Sequence, residues 1–139
     1  MKYSSRVVWE VLGRIWRLQR SLREETEPAL EALGLTGLEA WLLRVLEAHP
    51  YPSEAARRMG LPLPTVSHML RRLEEGGFVE RSLDAKDLRR FAFRLTARGE
   101  AARRQAEALM EAAVRRRLAR LSPEEVQDLL SLLARLEET

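Results

Sequence analysis

The 139-residue chain contains no cysteine and only two histidines, His49 and His68. Without cysteine there is no disulfide, no thiolate metal site, no cysteine nucleophile and no thiol-based redox sensor. Two histidines are too few for a histidine-rich metal centre within one chain. Long apolar runs are also missing: no stretch of about 18 uncharged apolar residues exists, so no membrane-spanning helix is expected. The opening segment Met1–Arg14 lacks the apolar run and small-residue cleavage site of a secretory signal, and a cytoplasmic location is the expectation. Lysine is scarce as well. Of 24 basic residues 22 are arginine, a bias that genome composition or heat adaptation explains as readily as function.

Enzymatic signatures are absent too. There is no glycine-rich phosphate loop, no zinc-binding helix motif and no Ser-His-Asp arrangement in a supporting context. Ser67 and His68 are adjacent, and on a helix they point about 100° apart, which rules them out as a nucleophile–base pair. No cofactor or metal is expected, and the chain does not read as an enzyme.

What is present is a globular composition, 45% hydrophobic and 32% charged, of a size for one domain. The net charge of +3 is unevenly placed: residues 1–52 sum to 0, residues 53–98 to +4, residues 99–120 to +3 and residues 121–139 to −4. A uniformly solvated surface does not explain why the basic excess sits in the middle.

Residues 4–27 carry apolar groups at helical spacing (Val8, Val11, Leu12, Ile15, Leu18, Leu22), widened by Trp9 and Trp16 and lapsing at Gln19. Pro28 predicts a kink or break near Glu27, with a second short piece ending at Gly34. Thr36-Gly37-Leu38-Glu39 is a capping box that opens a helix to about Ala48, stopped by Pro50 and Pro52. Ser53 is placed to cap a short helix from Glu54 to Met59, ended by Gly60. Pro64 suits the first turn of a helix from about Thr65 to Glu75. Two extended runs follow, Phe78–Leu83 and Phe91–Thr96; in the second, Phe91, Phe93 and Leu95 alternate with Ala92, Arg94 and Thr96. The polar turn between them makes a hairpin with a charged tip. Helix resumes over residues 97–120, and Ser122-Pro123-Glu124-Glu125 is a second capping box, opening a last amphipathic helix. No internal repeat, linker or low-complexity tract interrupts the chain.

Short helix, tight turn, helix and hairpin in that order describe a winged helix-turn-helix, whose second helix enters the major groove. At about 100° per residue, Val66, Leu70 and Leu73, flanked by Met69, form its buried stripe. Pro64, His68, Arg71 and Glu75 lie opposite, with Thr65, Ser67 and Arg72 on the flanks. Short hydrogen-bonding groups and arginines in that arrangement suit base edges and phosphates. Lys86, Arg89 and Arg90 stand at or beside the hairpin tip, within reach of the neighbouring minor groove. Asp84 and Asp87 have the wrong sign for DNA; one of them is expected to orient an arginine through a bidentate contact.

From Thr36 to Gly99 the chain resembles the winged core of the multiple-antibiotic-resistance regulator (MarR) family. The residues that carry the likeness are Leu63-Pro64-Thr65-Val66-Ser67-His68-Met69-Leu70-Arg71-Arg72-Leu73-Glu74-Glu75-Gly76-Gly77-Phe78-Val79-Glu80-Arg81, then Asp84-Ala85-Lys86-Asp87-Leu88-Arg89-Arg90 and Leu95-Thr96-Ala97-Arg98-Gly99. The family's wing commonly reads Asp-x-Arg-Asp-x-Arg; here Lys86 takes the third place and supplies a point charge instead of a fork. The flanking helices follow the family's plan as well.

The resemblance implies a mostly α fold with a small β-hairpin wing: a single domain over 1–139, a DNA-binding core over 36–99, and dimerisation helices in 1–34 and 100–139. It implies a homodimeric transcriptional regulator, often a repressor, on a pseudo-palindromic operator. The apolar faces of the first and last helices independently exceed what a thin monomer buries, and a two-fold partner would cover them. Its recognition helices would sit about 34 Å apart, one turn of DNA, with Arg57 and Arg58 on phosphates. Many relatives release DNA when a small aromatic anion binds between the dimerisation helices and the winged core; Trp9, Trp16 and Trp41 are candidate pocket residues, although core or dimer packing is the commoner use of such tryptophans. The competing reading is a winged-helix module for sequence-indifferent DNA architecture or for protein contacts, which binds DNA weakly and in a salt-sensitive way.

Overall fold

The structure is a computed structural model that describes residues 2–84, 86–87 and 90–138. Its elements run α1 (Ser5–Leu33), α2 (Gly37–Ala48), α3 (Pro52–Met59), α4 (Leu63–Glu75), β1 (Val79–Leu83), β2 (Phe91–Leu95), α5 (Ala97–Leu118) and α6 (Pro123–Glu137). The two strands pair antiparallel, with Val79 opposite Leu95 and Leu83 opposite Phe91. Among the described residues no helix is long and apolar enough to cross a membrane, and no cluster of three histidine or acidic residues could hold a metal.

Local chemistry sets most boundaries. Thr36 and Ser122 both form complete capping boxes, with Glu39 and Glu125 reaching back to the cap amides. The α3–α4 turn depends on Gly60 at φ +68°, a left-handed position that lets the α3 end close on itself before Pro62 starts the next helix. Leu42, Leu43 and Leu46 of α2, Val66, Leu70 and Leu73 of α4, Ala55 and Met59 of α3, Phe78 just before β1, Phe93 of β2 and Ala102 and Ala106 of α5 form one core. Alanines on the buried side of α5 let it lie close to α1 and α2. Arg103 reinforces that contact, pairing with Glu47 of α2 and with Glu100 and Glu107 of its own helix.

Three expectations are corrected. α1 runs unbroken through Pro28: the proline forfeits one backbone bond, but the helix on either side of it is held down by Thr26 and Leu30, both buried, so the ladder resumes. α3 begins at Pro52, not Glu54, and its cap is Tyr51, with no side-chain capping bond; a proline at the first helical position needs no donor partner, which leaves Ser53 outside the capping role. In β2 the simple alternation fails at its outer end, where Ala92 is buried and Phe91 is exposed. Phe91 has run past the core, and the Arg81 guanidinium covers its ring from 5.5 Å.

The outer elements are left bare. α6 has no buried residue, and α1 buries side chains only in its last third. Val8, Val11, Ile15 and Leu18 of α1 and Leu129, Leu130, Leu133 and Leu136 of α6 are exposed, a larger apolar surface than a monomer ordinarily presents.

Candidate nucleic-acid interface

α4 is anchored by its buried stripe of Val66, Met69, Leu70 and Leu73, as its spacing predicts. That leaves Pro64, Thr65, His68, Arg71 and Arg72 exposed and Ser67 half-buried. Two ion pairs on opposite flanks hold the helix against rotation. On one side Arg72 donates from Nε to Glu39 at 3.0 Å. Glu39 is almost wholly buried and also closes the α2 capping box. On the other side Glu74 receives two bonds from Arg81 of β1, at 2.9 and 3.1 Å, the bidentate geometry that arginine favours.

The basic groups therefore divide in two. Arg72 and Arg81 are held by carboxylates. Arg90 stacks over the Tyr51 ring at 3.6 Å and pairs with Glu54 at 3.4 Å. By contrast, Arg57 and Arg58 at the end of α3, Arg71 on α4 and Lys86 on the wing have exposed side chains with no ion pair among the described residues. These four are free to take phosphates. Arg89 lies outside the described residues.

The hairpin is pinned at the mouth of its turn. Asp84 accepts from the Tyr51 hydroxyl at 2.7 Å and from the Lys86 amide at 2.8 Å. Those two donors hold its carboxyl below the ordinary aspartate range, and the same bond pushes the Tyr51 hydroxyl up. Arg90 is held by Glu54 and the tyrosine ring. Asp87 accepts the Arg90 amide through its backbone carbonyl at 3.0 Å. A shallow cavity of about 310 Å³ lies between the hairpin, the α3 start and Ser67, with Leu63 and Phe91 on its walls.

The three tryptophans are only partly brought together. Trp9 and Trp16 pack edge to face, 6.2 Å between centroids, and both are exposed on α1. Trp16 borders a groove of about 680 Å³ whose other charged walls are Arg20, Arg23, Glu24, Glu27 and Glu31; neither Trp9 nor Trp41 lines it.

Glu39, Tyr51, Glu54, Glu74 and Arg81 position this face and were not singled out for that role from sequence. Glu39 is visible there only as a cap residue. The Tyr51–Asp84 and Glu39–Arg72 contacts each join residues 33 positions apart, and no local pattern encodes them.

A model of the MarR family matches residues 33–90. The chain is similar to the HTH-type transcriptional repressor Rv2887 of Mycobacterium tuberculosis, with 36% identity over 124 residues, covering 88% of this chain and 89% of the relative. Among solved structures it is similar to the M. tuberculosis MarR family protein Rv2887 in complex with salicylic acid: 35% identity, 88% of this chain, 92% of that one and a TM-score of 0.62. A cysteine-to-serine mutant of Escherichia coli MarR in complex with operator DNA shares the fold over 98% of this chain and 100% of that one, with a TM-score of 0.78 at 23% identity.

Proposed function

The chain belongs to the MarR family, and on that premise we propose that it is a homodimeric, sequence-specific DNA-binding repressor of transcription acting on a pseudo-palindromic operator. The observation that carries this reading is the outward face of α4, where short polar side chains stand beside an uncommitted Arg71 on a helix locked against rotation by two flanking ion pairs. Such a helix presents the same groups at every encounter, which base readout requires.

In this account Thr65, Ser67 and His68 meet base edges, and Pro64 makes the close apolar approach at the leading end of the helix. Arg71 reaches a base or a phosphate. Arg57, Arg58, Lys86 and Arg89 take phosphates or the minor groove. Arg72 and Arg90 act from one step back, through their carboxylates and the Tyr51 ring. Residues 36–99 form the DNA-binding core, and the helices of 1–34 and 100–139 form the dimer. The bare faces of α1 and α6 support that division. The protein acts on DNA without catalysis and works in the cytoplasm.

A small aromatic anion is the proposed effector, by analogy with Rv2887, which has been solved with salicylic acid. The groove beside Trp16 has two arginines against three glutamates, so charge gives an anion no advantage there. The effector is better placed between the dimerisation helices and the winged core, where it can favour one spacing of the recognition helices over another. Trp9, Trp16 and Trp41 remain the aromatic candidates, with the first two also serving as packing in the dimer.

Selection from a random duplex library at physiological salt tests the proposal. It should enrich a pseudo-palindrome with half-sites about 10 base pairs apart, and salicylate added to that complex should release the protein. Retained low-salt binding with no enriched sequence would favour the architectural reading instead.

A further inference from the structure

The hairpin is seated on the core by Val79, Ala92 and Phe93, and Arg81 ties β1 to Glu74 of α4. Beyond them Leu83 and Phe91 are exposed, and a two-stranded hairpin alone is marginal in water. The contacts that hold this turn end converge on the α2–α3 connection. The Phe93 amide donates to the Pro50 carbonyl at 2.8 Å. One residue on, the Tyr51 hydroxyl donates to Asp84 at 2.7 Å. The Tyr51 ring carries Arg90, which reaches over it to Glu54. Asp84 and Arg90 are themselves joined across the mouth of the turn, amide to carbonyl at 2.9 Å. Both strands of the wing are thus tied to one side chain.

We propose that Tyr51 is a positioning residue for DNA binding: its hydroxyl, bonded to Asp84, latches the turn end of the hairpin to the start of α3 and so fixes where the wing delivers its cations relative to the recognition helix. The latch rests on the DNA-binding reading above for its purpose, but not for its existence. It gives Asp84 a role despite its unfavourable sign for DNA. The carboxylate is turned inward, onto Tyr51 and the Lys86 amide. It also makes Arg90 a strut, with one face of the guanidinium on the ring and an edge on Glu54, while Lys86 stays uncommitted on the outer side.

Tyr51→Phe isolates the hydroxyl, since the ring that supports Arg90 is kept. In the free protein, hydrogen exchange at the Asp84, Lys86 and Arg90 amides should accelerate about tenfold, the worth of one hydrogen bond to a charged group. Exchange in α4 and α5 should not change. On the selected duplex, affinity should fall roughly fivefold and the slope of log affinity against log salt should drop by about one phosphate contact. Asp84→Asn should reproduce both effects, and the double variant should lose no more than either alone. Unchanged exchange at the wing amides overturns the latch. Accelerated wing exchange with an unaltered affinity and salt slope overturns its part in DNA binding, and acceleration spread through α4 and α5 reduces Tyr51 to a general stability residue and overturns the proposal as well. If the wild-type protein enriches no sequence, the regulator reading falls, while the exchange comparison, made without DNA, still decides the latch.

Discussion

Guanidinium groups near α4 differ in what they already hold, and that difference orders the effects of replacing them. Arg71 has no ion pair among the described residues, whereas Arg72 is bound to the buried Glu39. Arg71→Ala should leave the melting temperature unchanged and weaken binding to cognate and random duplex alike, with the salt slope reduced by about one. Arg72→Ala should instead lower stability, because it strips a buried carboxylate of its partner, by about 2 kcal/mol in denaturant titration. Replacing His68 by Ala should mainly relax sequence choice at one operator position, read as a flattened preference in a competition assay. Equal losses on cognate and random DNA would remove His68 from the base-reading set. The Tyr51–Asp84 bond also has a pH signature. The Asp84 pKa is depressed, so its contribution is present above the ordinary carboxylate value of 3.8 and is lost only as pH falls through the lowered one. The Tyr51 pKa is raised above 10.0, so the donor proton persists through mildly alkaline pH. The ratio of wild-type to Tyr51→Phe operator affinity should therefore stay constant between about pH 5 and pH 9. A ratio that changes inside that window would place a different titrating group in the latch.

Most helix boundaries that depend on neighbours in the chain were legible in the sequence. The α2 and α6 capping boxes, the Gly60 stop and the buried stripe of α4 all follow from residues three or four apart, and the structure has them in place. The α3 start was missed because Pro52 at the first helical position needs no cap from Ser53; the rest of what escaped was decided by packing between distant segments. Pro28 signals a break, yet α1 continues because buried residues hold it before and after the proline. Phe91 follows the strand period, yet its face is set by where the core ends. The same distinction explains why the exposed set of α4 could be listed from angles, while the latch and the flanking ion pairs could not. One close approach does have a sharp consequence. The Thr96 amide and hydroxyl donate to Phe78 and Gly77, drawing the start of α5 so near β1 that a side chain at Gly99 would run into the Phe78 carbonyl. Gly99→Ala should cost on the order of 3 kcal/mol, measured as a lower denaturation midpoint. A neutral effect would mean that α5 sits less tightly on the hairpin than described.

The winged core and α5 bury one another, while α6 and most of α1 stay bare. α1 is 29 residues, about 44 Å long, and most of that length together with all of α6 offers apolar side chains to solvent. A two-fold partner would cover both helices at once. Ile15→Glu or Leu130→Glu should therefore convert the protein to a monomer in light scattering, with the melting temperature falling and operator affinity dropping more than about a hundredfold, since a single half-site has fewer phosphate and base contacts. The sequence pointed to the dimer through surplus apolar faces, but not to its geometry, which depends on contacts between chains.

Hydroxyl-radical and methylation footprinting of the wild-type protein on its selected duplex tests for a dimer that reads both half-sites. Two protected major-groove segments are expected, related by two-fold symmetry and centred about 10 base pairs apart, each flanked by backbone protection from the wing. One protected segment, or protection spread evenly along the duplex, would contradict a dimer that reads sequence through paired α4 helices.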